Sequence, residues 1–142
     1  MKILIADDDD IVRALVHRVA AYDSHDTLLA NDGRQALELA EREDPDLLIT
    51  DLRMPELDGF GLIAAVRASA RHQHLPIICL SSVNQRDDIE SLIGKGISDY
   101  VLKPVRTADL AERIRGVAIR ERNWKIRFGP RPPAAPRPVD SV

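Results

Sequence analysis

Residues 47–59 read LLITDLRMPELDG, and this stretch decides the fold. Leu47 to Thr50 form a short apolar or β-prone run that leads straight into Asp51. The run has no alternation of period two. That is the pattern of a strand covered on both faces, as in a parallel sheet. Pro55, Asp58 and Gly59 then end it with turn chemistry. Asp51 is therefore expected at the carboxyl end of a buried strand, facing a loop. In open α/β sheets that edge is where ligands bind. An isolated Asp after a strand is more often a turn former or a helix cap. Here the rest of the chain supplies it with partners.

Working outward, strand-like and helix-like segments alternate. Lys2–Ala6 is a buried strand, followed by Asp7 to Asp10 and a helix with Ile11, Val12, Leu15, Val16 and Val19 on one stripe. Thr27–Ala30 is a short strand, and Asn31-Asp32-Gly33 is a turn. Gln35 to Glu43 is a helix. A helix from about Phe60 to Arg71 follows the central strand. Pro76 opens the strand Ile77–Leu80, Asp87 to Lys95 is a helix, and Ser98–Leu102 is the last strand. Thr107 is the expected N-cap of a final helix running to about Arg122.

Five strands and five helices in strict alternation imply right-handed βαβ units with helices on both sheet faces. In one small α/β domain they point to a flavodoxin-like doubly wound sheet of order 2-1-3-4-5. At 142 residues there is room for a single core. We divide the chain into a domain over 1–122 and a tail or linker over 123–142. From Lys125 onward five prolines, at 130, 132, 133, 136 and 138, predict an extended segment.

Composition excludes little beyond the membrane. Apolar residues make up 44% and charged residues 30%, ordinary for a soluble globular protein. No apolar run approaches the ~20 residues needed to span a bilayer, and the N-terminus meets acid too early for a signal peptide. The lone Cys79, inside an apolar run, reads as a buried thiol in a cytoplasmic protein. Charge is uneven: residues 1–112 carry −9 and residues 113–142 carry +6. Arginines on a solvated helix face and tail account for the basic end.

The order 2-1-3-4-5 makes the first and third strands neighbours, so Asp7, Asp8 and Asp51 converge. Unpaired, they repel in a partly desolvated site, and a bound divalent cation resolves this. All-oxygen ligands suit Mg²⁺. Asp9 and Asp10 read as the solvated start of the helix. The fourth strand ends in the hydroxyl of Ser81 and the fifth in Lys103-Pro104. A carboxylate beside a metal, a hydroxyl and an ammonium can receive a phosphoryl group, whose equatorial oxygens the cations neutralise.

At this point the chain resembles the receiver domain of bacterial two-component response regulators, the family of the chemotaxis and sporulation regulators. ILIADDDD is similar to its acidic-pair segment, LLITDLRMPELDG to its phosphoacceptor segment, PIICLSS to its hydroxyl segment and DYVLKPV to its lysine segment. The resemblance covers about residues 1–122. It implies that Asp51 accepts the phosphoryl group. It implies that Asp7, Asp8 and Asp51 hold Mg²⁺ together with the backbone carbonyl of Arg53. Ser81 then corresponds to the switch hydroxyl, Lys103 pairs with the phosphoryl group, and Tyr100 is the aromatic that changes rotamer when Ser81 moves. Arg53 and Val83 occupy places where the family varies and where phosphoryl lifetime is set.

The implied function is a phosphorylation switch, not an enzyme acting on external substrate. Its phosphodonor is a histidine kinase or phosphotransfer protein. Its output is a partner protein or a second copy bound at the fourth helix, fifth strand and fifth helix. The tail is too short for a DNA-binding effector domain, and no membrane contact is expected. Two other classes share part of the pattern. A haloacid-dehalogenase-like phosphatase needs a second Asp two residues after the nucleophile, where this chain has Arg53. A phosphate-independent binding module has no need of the full set of Asp7, Asp8, Asp51, Ser81 and Lys103.

Overall fold

The computed structural model describes residues 1–82 and 86–130. Its order is β1 (Lys2–Ala6), α1 (Asp10–Tyr22), β2 (Asp26–Ala30), α2 (Gly33–Glu43), β3 (Leu47–Asp51), α3 (Gly59–Ala68), β4 (Ile77–Ser81), α4 (Arg86–Ile93), β5 (Asp99–Leu102) and α5 (Thr107–Phe128). The strands form one parallel sheet of order β2-β1-β3-β4-β5, as the alternation predicted. Every residue of β3 and of β4 is buried, which is why neither shows a period of two.

Alternate sheet positions feed two cores. Leu4, Leu48, Ile77 and Cys79 pack with α2, α3 and α4 on one face. Ile3, Ile5, Leu47, Ile49, Ile78, Leu80 and Val101 pack with α1 and α5 on the other. Cys79 is fully buried, and burial pushes its thiol pKa up to about 12. Among the described residues no helix is long and apolar enough to cross a membrane.

The start of α1 is as expected, and other helix ends differ. Asp9 caps α1, accepting from the backbone N–H groups of Ile11 (2.9 Å) and Val12 (3.3 Å). Thr107 is not a cap: Arg106 holds the N-cap position and makes no side-chain capping bond. The largest difference is at the C-terminus. α5 continues through Phe128, six residues past the expected stop at about Arg122. Trp124 and Phe128 prolong the spacing of Leu110, Ile114 and Val117, and their rings meet with centroids 4.5 Å apart. Gly129, at φ 76°, ends the helix just before Pro130. The tail beyond Pro130 and its four further prolines lie outside the described residues.

Candidate phosphoacceptor site

Register builds the site. Ala6 pairs with Thr50, so the next residues, Asp7 and Asp51, leave β1 and β3 at the same level. Asp51 pairs with Leu80 and Ser81 with Leu102, so Ser81 and Lys103 follow at successive steps along the same edge. The backbone N–H of Lys103 donates to the carbonyl of Ser81 at 2.6 Å, fixing β5's end against β4's.

Asp7 is fully buried and Asp51 is 6% exposed, whereas Asp8 faces solvent. Carboxylate oxygens of the three lie within 4.8 Å of one another. Lys103 Nζ sits 3.1 Å from Asp51 Oδ2 and 3.4 Å from Asp7 Oδ2. One ammonium thus pairs with two of the three carboxylates. Asp51 Oδ1 accepts from the N–H of Leu52 at 2.8 Å, and Asp7 Oδ1 accepts from the N–H of Asp9 at 2.9 Å. Among the described residues Asp7 Oδ2 is buried with no hydrogen-bond partner beyond the ion-paired Lys103 ammonium. An oriented, under-satisfied carboxylate oxygen beside two others is the donor set a hard divalent cation takes. The residues present therefore fit such an ion.

The electrostatics agree. Burial pushes the Asp7 carboxyl above its ordinary range, and Asp51 repels its charge further; the Asp9 N–H and Lys103 oppose this without cancelling it. For Lys103 burial works against the charge, but Asp7 and Asp51 outweigh it and hold the ammonium pKa above its usual value.

Ser81 is fully buried, and its hydroxyl donates to the carbonyl of Ser82 at 3.2 Å. Tyr100 is half-buried against the α3–α4 core. The structure thus brings Asp7, Asp8, Asp51 and Lys103 into contact, with Ser81 and Tyr100 on the neighbouring strands. The segment expected to link those two runs through residues 83–85, and Val83 with it lies outside the described residues.

The roles of three positions at the site escaped sequence reading. Thr50, also buried, donates through Oγ1 to the carbonyl of Asp51 at 2.8 Å. Arg13 reaches back from α1 to donate to the carbonyl of Asp7 at 2.8 Å. Gly59 lies against the back of the acceptor: a Cβ there would sit 2.2 Å from the carbonyl oxygen of Asp51. Only Gly59 left a sequence signal, as a glycine opening a helix beside an acidic loop.

Fold, register and acidic edge together define a response-regulator receiver, and the chain belongs to that family: the family model described as the response regulator receiver domain matches residues 3–115. The chain is 36% identical over 115 residues to the chemotaxis protein CheY of Pseudomonas aeruginosa, covering 80% of this chain and 93% of that one. It is 35% identical over 117 residues to the response regulator MprA of Mycobacterium leprae, covering 82% of this chain and 50% of that one. The chain thus spans about half of that longer relative. The solved REC domain of AraT, a response regulator from Geobacillus stearothermophilus, superposes with a TM-score of 0.80 at 29% identity, covering 87% of this chain and 97% of that one.

Proposed function

We propose that this receiver domain is switched by a phosphoryl group on Asp51, taken from a histidine kinase or phosphotransfer protein in the cytoplasm. The observation that carries the reading is Asp51 at the end of β3, with Lys103 Nζ at 3.1 Å and the oxygens of Asp7 and Asp8 within 4.8 Å. An oxygen of Asp51 attacks phosphorus, the bond from phosphorus to the donor nitrogen breaks, and its electron pair leaves on the imidazole. Lys103 meets the charge developing on the phosphoryl oxygens. Asp7, Asp8, Asp51 and the carbonyl of Arg53 would hold Mg²⁺, which supplies further positive charge there when bound. The chain acts on no external substrate in this reading. Residues 1–122 form the switch, α5 carries on from it to Phe128, and the rest of 123–142 is its tail or the link to a further part.

The signal leaves as a change of packing. A phosphoryl group adds strong acceptors within reach of Ser81. Ser81 turns toward them, Tyr100 follows, and the surface of α4, β5 and α5 changes its affinity for a downstream protein. Phosphate shifts this equilibrium only through its differential contacts with the two packings.

Intact-mass spectrometry with acetyl phosphate and Mg²⁺ tests the assignment. One added phosphoryl group is expected, absent in Asp51→Asn; persistent labelling of that variant overturns it. Ser81→Ala should still accept phosphate but lose most of the beryllofluoride-induced amide shifts around Tyr100 and α5. Full wild-type shifts would remove Ser81 from the relay.

A further inference from the structure

Arg53 carries a side chain that the phosphotransfer chemistry leaves unused. It stands two residues beyond Asp51, and its guanidinium reaches across to α4, where Nη2 lies 3.1 Å from Asp88 Oδ2. On the way it passes the ring of Phe60, in the first turn of α3, with Cζ 5.4 Å from the ring centroid. One side chain therefore ties the acceptor loop, the start of α3 and the first turn of α4. Among the described residues α4 is the shortest helix, eight residues, with Ile89 and Leu92 buried. The Arg53 contact at Asp88 adds a tether in the first turn of α4.

We infer that Arg53 is a clasp released by phosphorylation: it holds α4 through Asp88 while Asp51 is bare, and moves to the phosphoryl group when Asp51 carries one. This rests on the reading of Asp51 given above. The physical case is a competition for one cation. Arg53 and Asp88 are 65% and 37% exposed, and such ion pairs are weak and screened. A phosphoryl group brings about two negative charges and oxygens that match the guanidinium fork. Lys103, the ammonium already in the site, is shared between Asp7 and Asp51. The added charge therefore draws on the next cation along the chain, which is Arg53. Release frees the start of α4, on the surface that carries the output.

The test uses the 142-residue chain with Mg²⁺ and beryllofluoride as the phosphoryl mimic, read by titration calorimetry and by hydrogen exchange in α4. Arg53→Ala should weaken beryllofluoride by about three- to tenfold, since it removes the anion's ligand. Asp88→Asn should tighten it by about two- to fivefold, since it removes the competitor. The tightening should vanish when Asp88→Asn is made on top of Arg53→Ala. Free Asp88→Asn should already show the raised exchange in α4 that beryllofluoride induces in the wild type. If Asp88→Asn tightens binding equally with and without Arg53, the effect is only the general field of a carboxylate and the clasp is wrong. If both single variants shift binding in the same direction, it is wrong as well. A wild-type chain that binds no beryllofluoride would instead overturn the reading of Asp51, and the clasp with it.

Discussion

The two edges of the sheet treat charge in opposite ways. At the carboxyl edge Asp7 and Asp51 share the Lys103 ammonium beside the exposed Asp8, and among the described residues a buried oxygen of Asp7 has that ion pair but no hydrogen bond. At the amino edge polar groups are answered where they stand. Arg67, near the end of α3, donates to the carbonyls of Leu75 (2.8 Å) and Gly96 (2.6 Å), with longer contacts to those of His72 and Gln73. That arginine binds the loop entering β4 to the loop entering β5. Asp44, the left-handed C-cap of α2, accepts from Arg71 and from Nε2 of the buried His72, at 3.1 Å. One edge stores unspent charge and the other spends it on closing loops. The difference separates residues kept for chemistry from residues kept for the fold.

The largest expected effect tests the amino edge. Arg67→Ala leaves the Leu75 and Gly96 carbonyls without their charged donor. Bonds to charged groups contribute about 1.5–3 kcal/mol each, and water recovers part of that, so a loss of about 2–3 kcal/mol is expected. The thermal midpoint should fall by roughly 6–10 °C. Phosphoryl uptake at Asp51, measured well below the midpoint, should not change. Normal stability in this variant, or a folded variant that cannot be labelled, would break the division between the edges.

The carboxyl edge should respond with the opposite sign. Asp7→Asn removes a charge that burial and Asp51 both disfavour. Its Oδ1 can still accept from the N–H of Asp9. Without divalent cations at neutral pH the variant should be more stable than wild type by about 1 kcal/mol, the usual return for relieving a functional site. Mg²⁺ should raise the wild-type midpoint and leave the variant's almost unmoved. An unchanged or lowered midpoint would mean that Lys103 already balances Asp7.

These edges were not equally legible in the sequence. The carboxyl edge was readable because each of its residues follows an apolar run, and a run ending in Asp, Ser or Lys marks a strand end. Register then did the rest, since the topology alone sets Asp7 level with Asp51. The amino edge gave no such sign. Arg67 looks like any arginine on a solvated helix face, and its acceptors are backbone carbonyls, which no residue type announces. His72 sits in the polar string RHQH, yet it is buried. The end of α5 was hidden for a related reason: Trp124 and Phe128 keep the helical spacing, but the cations around them read as a tail. Side-chain bonds to backbone depend on loop geometry, and that exists only after folding.

The smallest effect separates the edges by pH. Burial would raise the Asp44 carboxyl, but hydrogen bonds from Arg71 and His72 outweigh it and hold its pKa below 3.8. A lowered folded pKa means that Asp44 contributes stability above 3.8 and loses it as pH falls through the folded value. Asp7 runs the other way. Its folded pKa lies above 3.8, so its charge costs stability above the folded value, and that cost disappears as acid protonates it. In metal-free buffer, acidifying from neutral toward 3.8 should therefore relieve the carboxyl edge, and acidifying further should weaken the amino edge. Other carboxylates titrate over the same range, so the signal is the difference from single variants. The wild-type midpoint minus that of Asp7→Asn should become less negative toward pH 4. The wild-type midpoint minus that of Arg71→Ala should shrink progressively as pH falls through the ordinary carboxylate range and below it. The Asp44 side chain is 60% exposed, so its part should be a degree or two and should fade in high salt. Two differences that move in the same direction over one pH range would show the edges to be coupled, and the contrast between them would fail.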